Sequence, residues 1–157
     1  MAATNSLHNL FVMLAISSTF FITACAQPQT DPRAFRSQPE EVKEYYSRFQ
    51  EYYNVNPYYV SAGFVDKLDG TKVAICTSWD SGYREIRFKS SFWDGLGDYG
   101  KEQLVFHELG HCVFNLPHNN NRYSNGCPMS IMNEYAFGDT NCYSWYRDEL
   151  ISNLGGK

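Results

Sequence analysis

Charge is missing from the start of this chain, and histidine from nearly all of it. Residues 1–24 contain no Asp, Glu, Lys or Arg. Of the four histidines, only His8 lies outside the twelve residues from His107 to His118. No cluster of Lys and Arg occurs, and the formal net charge is −4, which argues against binding to nucleic-acid phosphates. No internal repeat or low-complexity stretch is present, which excludes a repeat architecture. A membrane-spanning run is also lacking: the mostly apolar stretch Leu10–Ala24 has fifteen residues, where a spanning helix needs roughly twenty.

That short apolar stretch has the length of a signal-peptide core. It ends in Ile22-Thr23-Ala24-Cys25, which resembles the lipobox of bacterial lipoproteins. The resemblance implies removal of residues 1–24, acylation of Cys25, and export to the bacterial cell envelope on a lipid anchor, facing the periplasm or the cell surface. The absence of a positive n-region departs from that pattern, and cleavage after Ala26 is the competing reading. Residues 25–37 are polar and contain proline, as expected of a flexible tether. Residues 38–157 then form one domain of ordinary size, expected to be a monomer, with no room before it for a folded pro-segment.

The remaining pattern predicts an α+β domain. Pro39–Asn54 reads as an amphipathic helix, with Pro39 in its first turn, Glu40 and Glu41 at the positive end, and Val42, Tyr45, Tyr46, Phe49 and Tyr53 on its inner face. Three strand-like runs follow at Tyr58–Asp66, Thr71–Trp79 and Tyr83–Lys89. Asp69-Gly70 marks a hairpin between the first two, and Asp80-Ser81-Gly82 a second turn. Glycines 95, 97 and 100 loosen the chain before a helix that starts near Lys101. Asn141–Leu154 reads as a closing helix with Trp145, Leu150 and Leu154 turned inward.

The histidine-rich stretch opens as His107-Glu108-Leu109-Gly110-His111. On a helix, residues i and i+4 lie one turn apart on one face, so both histidines can aim a ring nitrogen at a single ion. Glu108 lies beside them, placed to take a proton from water at the metal rather than to bind it. His118 follows, and Ser130-Ile131-Met132-Asn133 comes later.

Together these features resemble the metzincins, zinc peptidases marked by HExxHxxGxxH and a methionine-containing turn. The match covers about residues 101–135. It implies one Zn2+ on His107, His111 and His118, Glu108 as general base, and Met132 in the turn beneath the metal. It also implies the order of elements: N-terminal helix, small twisted sheet, active-site helix, Met-turn and C-terminal helix. In that family an edge strand pairs with the extended substrate, here one of the strands between residues 71 and 90. Two departures stand out. The third histidine comes one residue late, and Phe114 occupies the position of the family's glycine. Asn115 is the candidate replacement, because Asn tolerates the left-handed region best after Gly and stands three residues before His118. Should that repair fail, Glu134 or Asp139 are the alternative third ligands. Met132 also suits plain core filling. Some metzincins carry a tyrosine two residues past the Met that stabilises the transition state; Tyr135 lies three past it.

Four cysteines follow Cys25, and in an exported domain they imply two disulfides with three possible connectivities. Pairing Cys127 with Cys142 staples the region around the Met-turn and leaves Cys76 for Cys112; the other pairings stay open. Cys112, about 100° round the helix from His111, is poorly placed as a ligand. The expected activity is that of a zinc metalloendopeptidase, a hydrolase of peptide or protein substrates. The alternatives are an anchored zinc- or peptide-binding protein without turnover and a zinc hydrolase of a non-peptide bond.

Overall fold

The computed structural model describes residues 33–135 and 140–155. The apolar leader, Cys25 and Asp139 lie outside the described residues. Among the described residues, no helix is long and apolar enough to cross a membrane. The architecture is α+β: α1 (Glu40–Tyr53), β1 (Val60–Val65), β2 (Ala74–Ser78), β3 (Arg84–Lys89), α2 (Ser90–Trp93), α3 (Asp98–Phe114) and α4 (Thr140–Leu154).

Helix α1 is amphipathic as its spacing predicts, with Val42, Tyr45, Tyr46 and Phe49 buried. Pro39 sits at the N-cap rather than within the first turn, and Asn54 ends the helix in the left-handed conformation at φ 52°. Tyr53 is partly buried and donates its hydroxyl to the Ile151 carbonyl at 2.7 Å, tying α1 to α4.

The three strands form one mixed sheet in the order β1-β3-β2. Strand β1 runs parallel to β3, and β2 antiparallel to it. The hairpin expected at Asp69-Gly70 is therefore not one. Gly70 does make a turn with positive φ, but β1 and β2 lie on opposite edges, so the chain crosses to the far side there. The true hairpin joins β2 to β3 through Gly82, where Trp79 N–H bonds to Tyr83 O at 3.0 Å. On the inner face, Ala62, Ile86, Phe88 and Ala74 enter the core. On the other, Glu85 is wholly buried because residues 34–35 cover it: their backbone N–H groups donate to its Oε2 at 2.9 Å each. The Phe35 ring occupies the space a side chain at position 63 would need, 2.2 Å from an added Cβ, so Gly63 permits the contact. Ala34 and Phe35 thus pack against the sheet.

Helix α3 is the centre of the fold and packs against β2, β3, α1 and α4. It begins at Asp98, three residues before the expected start, with Gly100 already inside its first turn and the short α2 preceding it. Its stretch Glu102–Gly110 is buried throughout, so its polar side chains Glu102, Gln103, His107 and Glu108 lie inside the fold rather than in solvent. On α4 the inner face holds Tyr143, Leu150, Ile151 and Leu154, whereas Trp145 is 69% exposed, contrary to expectation. Two residues from Tyr143, it falls some 200° round the helix. The disulfides are Cys76–Cys112, joining β2 to α3, and Cys127–Cys142, joining the loop before the Met132 turn to α4.

Candidate metal centre

His107 and His111 project from one face of α3, and the manner in which that helix stops brings in His118. The helix continues through Phe114, and Asn115 then adopts the left-handed conformation at φ 54°. The Asn115 N–H closes back on the Gly110 and His111 carbonyls. Leu116 N–H also reaches Gly110 O, at 3.1 Å. The extra residue relative to the metzincin pattern therefore lengthens the helix, and Asn115 does what glycine does elsewhere. This reversal returns residues 116–118 over the histidine face.

The three Nε2 atoms converge: 3.1 Å between His107 and His111, 3.1 Å between His111 and His118, and 3.2 Å between His107 and His118. On two of the rings the other nitrogen is already committed. His107 Nδ1 lies 2.8 Å from the Ile131 carbonyl, and His111 Nδ1 lies 2.6 Å from the Leu116 carbonyl. A carbonyl only accepts, so each Nδ1 carries the proton and each Nε2 is left with a bare lone pair. Burial holds His107 in the neutral form, its pKa lowered to about 3, and also lowers that of His111. Two lone pairs facing each other at 3.1 Å repel unless a cation lies between them. Tetrahedral zinc with bonds of about 2.0–2.1 Å spaces its nitrogen ligands by roughly 3.3 Å, close to what is found here. The donor set fits a metal ion. Glu134 does not replace His118; it lies behind that ring, 4.0 Å from Nδ1. Cys112 is consumed by its disulfide and serves neither as ligand nor as nucleophile.

The Ser130–Asn133 segment forms a turn directly under this cluster. Ser130 Oγ accepts the Met132 N–H at 3.0 Å, and Asn133 N–H returns to Ser130 O at 3.2 Å. Met132 is buried, and its sulfur packs on Gly110: an added Cβ there would lie 2.5 Å from Sδ. The turn also holds two ligand segments. Ile131 O anchors His107, and Met132 O accepts the N–H of Asn119, the residue after His118, at 2.9 Å.

Glu108 faces a cleft of about 650 Å³. Burial raises its pKa to about 8, opposed only by a hydrogen bond from the Cys76 backbone. One wall of the cleft is strand β2, represented by Ala74, Ile75, Cys76 and Ser78, with Phe92 and Leu116 adding apolar surface. Of the two strands proposed to flank substrate, β3 is central and paired on both sides, whereas β2 pairs, among the described residues, with β3 alone. Tyr135 lines the same cleft but is 72% exposed, with its backbone N–H bonded to Asn133 Oδ1 at 3.0 Å.

Residues that sequence reading overlooked are mainly supports. The Ile131, Leu116 and Met132 carbonyls carry no side-chain signal at all. Ser130 and Asn133 could have been found, since Ser and Asn two residues before a turn N–H are the usual local acceptors. Tyr46, taken only as core, lies near enough for the Glu108 charge to raise its own pKa beyond the effect of burial. The fold and site define an α+β chain with three histidines positioned to bind a metal ion beside a buried glutamate. No protein family, curated protein or solved structure matches this chain.

Proposed function

We propose that this chain is a zinc-dependent endopeptidase of metzincin-like type, exported and anchored to the bacterial envelope through a lipid on Cys25. The observation that carries the reading is the set of inward-facing imidazole lone pairs next to Glu108, in a cleft walled by strand β2. Three neutral imidazoles suit zinc, whereas magnesium and calcium call for oxygen donors. Three protein ligands leave a coordination position open, the arrangement of catalytic rather than structural zinc. When bound, zinc supplies Lewis acidity: it polarises a substrate carbonyl and lowers the pKa of coordinated water toward neutrality.

The chain's own residues do the rest. Glu108, kept basic by burial, takes the proton of the attacking water and delivers it to the leaving nitrogen. Among the described residues strand β2 pairs only with β3, and it lines the cleft, so an extended peptide can add to the sheet there, main chain to main chain. Such pairing reads backbone, and an open cleft of this form suits a polypeptide better than a compact small molecule. Tyr135, exposed at the cleft, is available to approach a bound substrate and stabilise the developing oxyanion.

The test is cleavage of a diverse peptide mixture by the zinc-loaded protein, read by mass spectrometry, with Glu108→Ala as the blank. Cuts made by the wild type alone are the expected result. A folded, zinc-loaded wild type that cuts nothing beyond the blank would refute the peptidase reading and favour binding without turnover or a non-peptide bond.

A further inference from the structure

We infer that Glu134 is a positioning residue for His118, the third ligand of the proposed metal centre. The inference rests on the metal reading above. Its basis is an asymmetry among the three rings. His107 and His111 each give Nδ1 to a backbone carbonyl, at 2.8 and 2.6 Å. Among the described residues, no carbonyl bonds His118 Nδ1. Among the described residues, the group facing that nitrogen is the Glu134 carboxylate, with Oε2 at 4.0 Å.

The third ring is also the one most in need of an anchor. Its side chain is 41% exposed, and it stands on a loop rather than on α3. Nothing in the helix holds it, so its direction must be set from outside.

Glu134 is itself held in place, which an incidental surface charge would not require. Its N–H bonds to Asn120 Oδ1 at 3.0 Å, and its Oε2 accepts from Asn120 Nδ2 at 3.3 Å. Asn120 lies two residues past His118, and the intervening Asn119 is tied to Met132 O at 2.9 Å. The carboxylate and the imidazole therefore belong to two segments already clamped to each other at both neighbouring positions.

The chemistry follows from this placement. At 4.0 Å the carboxylate acts on Nδ1 through its charge rather than a direct hydrogen bond: it favours the tautomer with the proton on Nδ1 and so leaves Nε2 for a cation. The backbone carbonyls behind His107 and His111 orient those rings without a full negative charge. The structure thus gives the loop ligand an anionic partner and the helical ligands neutral ones. Glu134 does not bind the ion in this arrangement, because it lies against the ring nitrogen that faces away from the cluster.

Chelator competition for zinc on the purified protein tests this without reference to turnover, using wild type, Glu134→Ala, Glu134→Gln and His118→Ala. Glu134→Ala is expected to weaken zinc binding by 10- to 100-fold. Glu134→Gln keeps an acceptor for Asn120 and for Nδ1–H but loses the charge, and is expected to fall between Ala and wild type. A role confined to holding the loop would be fully restored by Gln. Nitrogen-15 NMR of the metal-free proteins supplies the second readout. Wild type should show His118 protonated at Nδ1, and Glu134→Ala a mixture of tautomers. Unchanged zinc affinity in both Glu134 variants, beside a large loss in His118→Ala, would overturn the inference. Absence of zinc binding in the wild type would overturn the metal reading itself.

Discussion

Helix α3 carries two buried glutamates six positions apart, and their surroundings are opposite. Glu102 is wholly buried and receives a bidentate pair of bonds from Arg147 at 2.6 and 2.9 Å, one from Arg48 at 3.0 Å and one from the Tyr143 hydroxyl at 2.9 Å. Burial alone would raise its pKa, but the bonds from Arg147, Tyr143 and Arg48 prevail and lower it. Glu108 is 4% exposed and has no cation among the described residues beside it. Burial pushes its pKa up to about 8. One carboxylate binds α1 and α4 to α3 and is inert. The other is left basic at the cleft, as a proton acceptor must be. The same residue type on the same helix thus serves structure at one position and, in the proposed reading, chemistry at the other, and only its partners distinguish the two.

This contrast can be broken at either end. The largest effect is expected from His111→Ala, which removes a ligand. Zinc affinity should fall by more than the 10- to 100-fold typical of losing an outer partner, and peptide cleavage should drop to the blank. Unfolding of the metal-free protein should barely change, because His111 is only partly buried. Metal analysis and denaturant titration check both halves.

At the other end, Glu102→Ala should lower stability by about 3 kcal/mol, since it takes the bidentate carboxylate from Arg147 and the acceptor from the buried Tyr143 hydroxyl, while Arg48 keeps Glu44 and Asp98. Both arginines keep some solvent access, at 27% and 21%, which holds the loss below the full value for a buried pair. Urea unfolding of the metal-free protein gives the number directly.

A pH series sharpens the same comparison. The pKa of Glu102 is lower in the folded state than its ordinary value of 4.5. Its contribution is therefore fully present above pH 4.5 and fades as pH falls through the lowered folded value. Glu102→Gln should flatten part of that acid limb of the stability curve, leaving the shares due to Glu85 and Asp98, whose pKa values are also lowered. The smallest effect is expected at the helix stop. Asn115→Gly should leave stability and zinc affinity close to wild type, whereas Asn115→Ala should cost about 1 kcal/mol, because the position is left-handed. Thermal unfolding resolves the two.

Much of the metal centre was legible in the sequence because its ligand spacing is local. His107 and His111 are set by one helical turn, and the placement of His118 follows from a residue count back to Asn115. Both disulfides also follow the pairing that staples the Met132 region. What escaped depends on partners far along the chain. Asp69-Gly70 announces a turn but not which strands will pair, and β1 finds β3 instead of β2. Trp145 was placed inward on hydrophobicity alone, whereas the face of α4 is decided by Tyr143, Ile151 and Leu154. Glu102 and Glu85 look like surface charges until Arg147 and the residue 34–35 backbone are brought to them from 45 and about 50 positions away. The metzincin resemblance and the lipid anchor stand as proposals for experiment.

The most direct test of the central claim is the rate of peptide hydrolysis per bound zinc for wild type and Glu108→Gln, with zinc content and thermal unfolding measured on the same samples. The account predicts full zinc occupancy, unfolding at or above the wild-type temperature, and a rate at least 100-fold lower. A Glu108→Gln protein that hydrolyses peptides at the wild-type rate would contradict it.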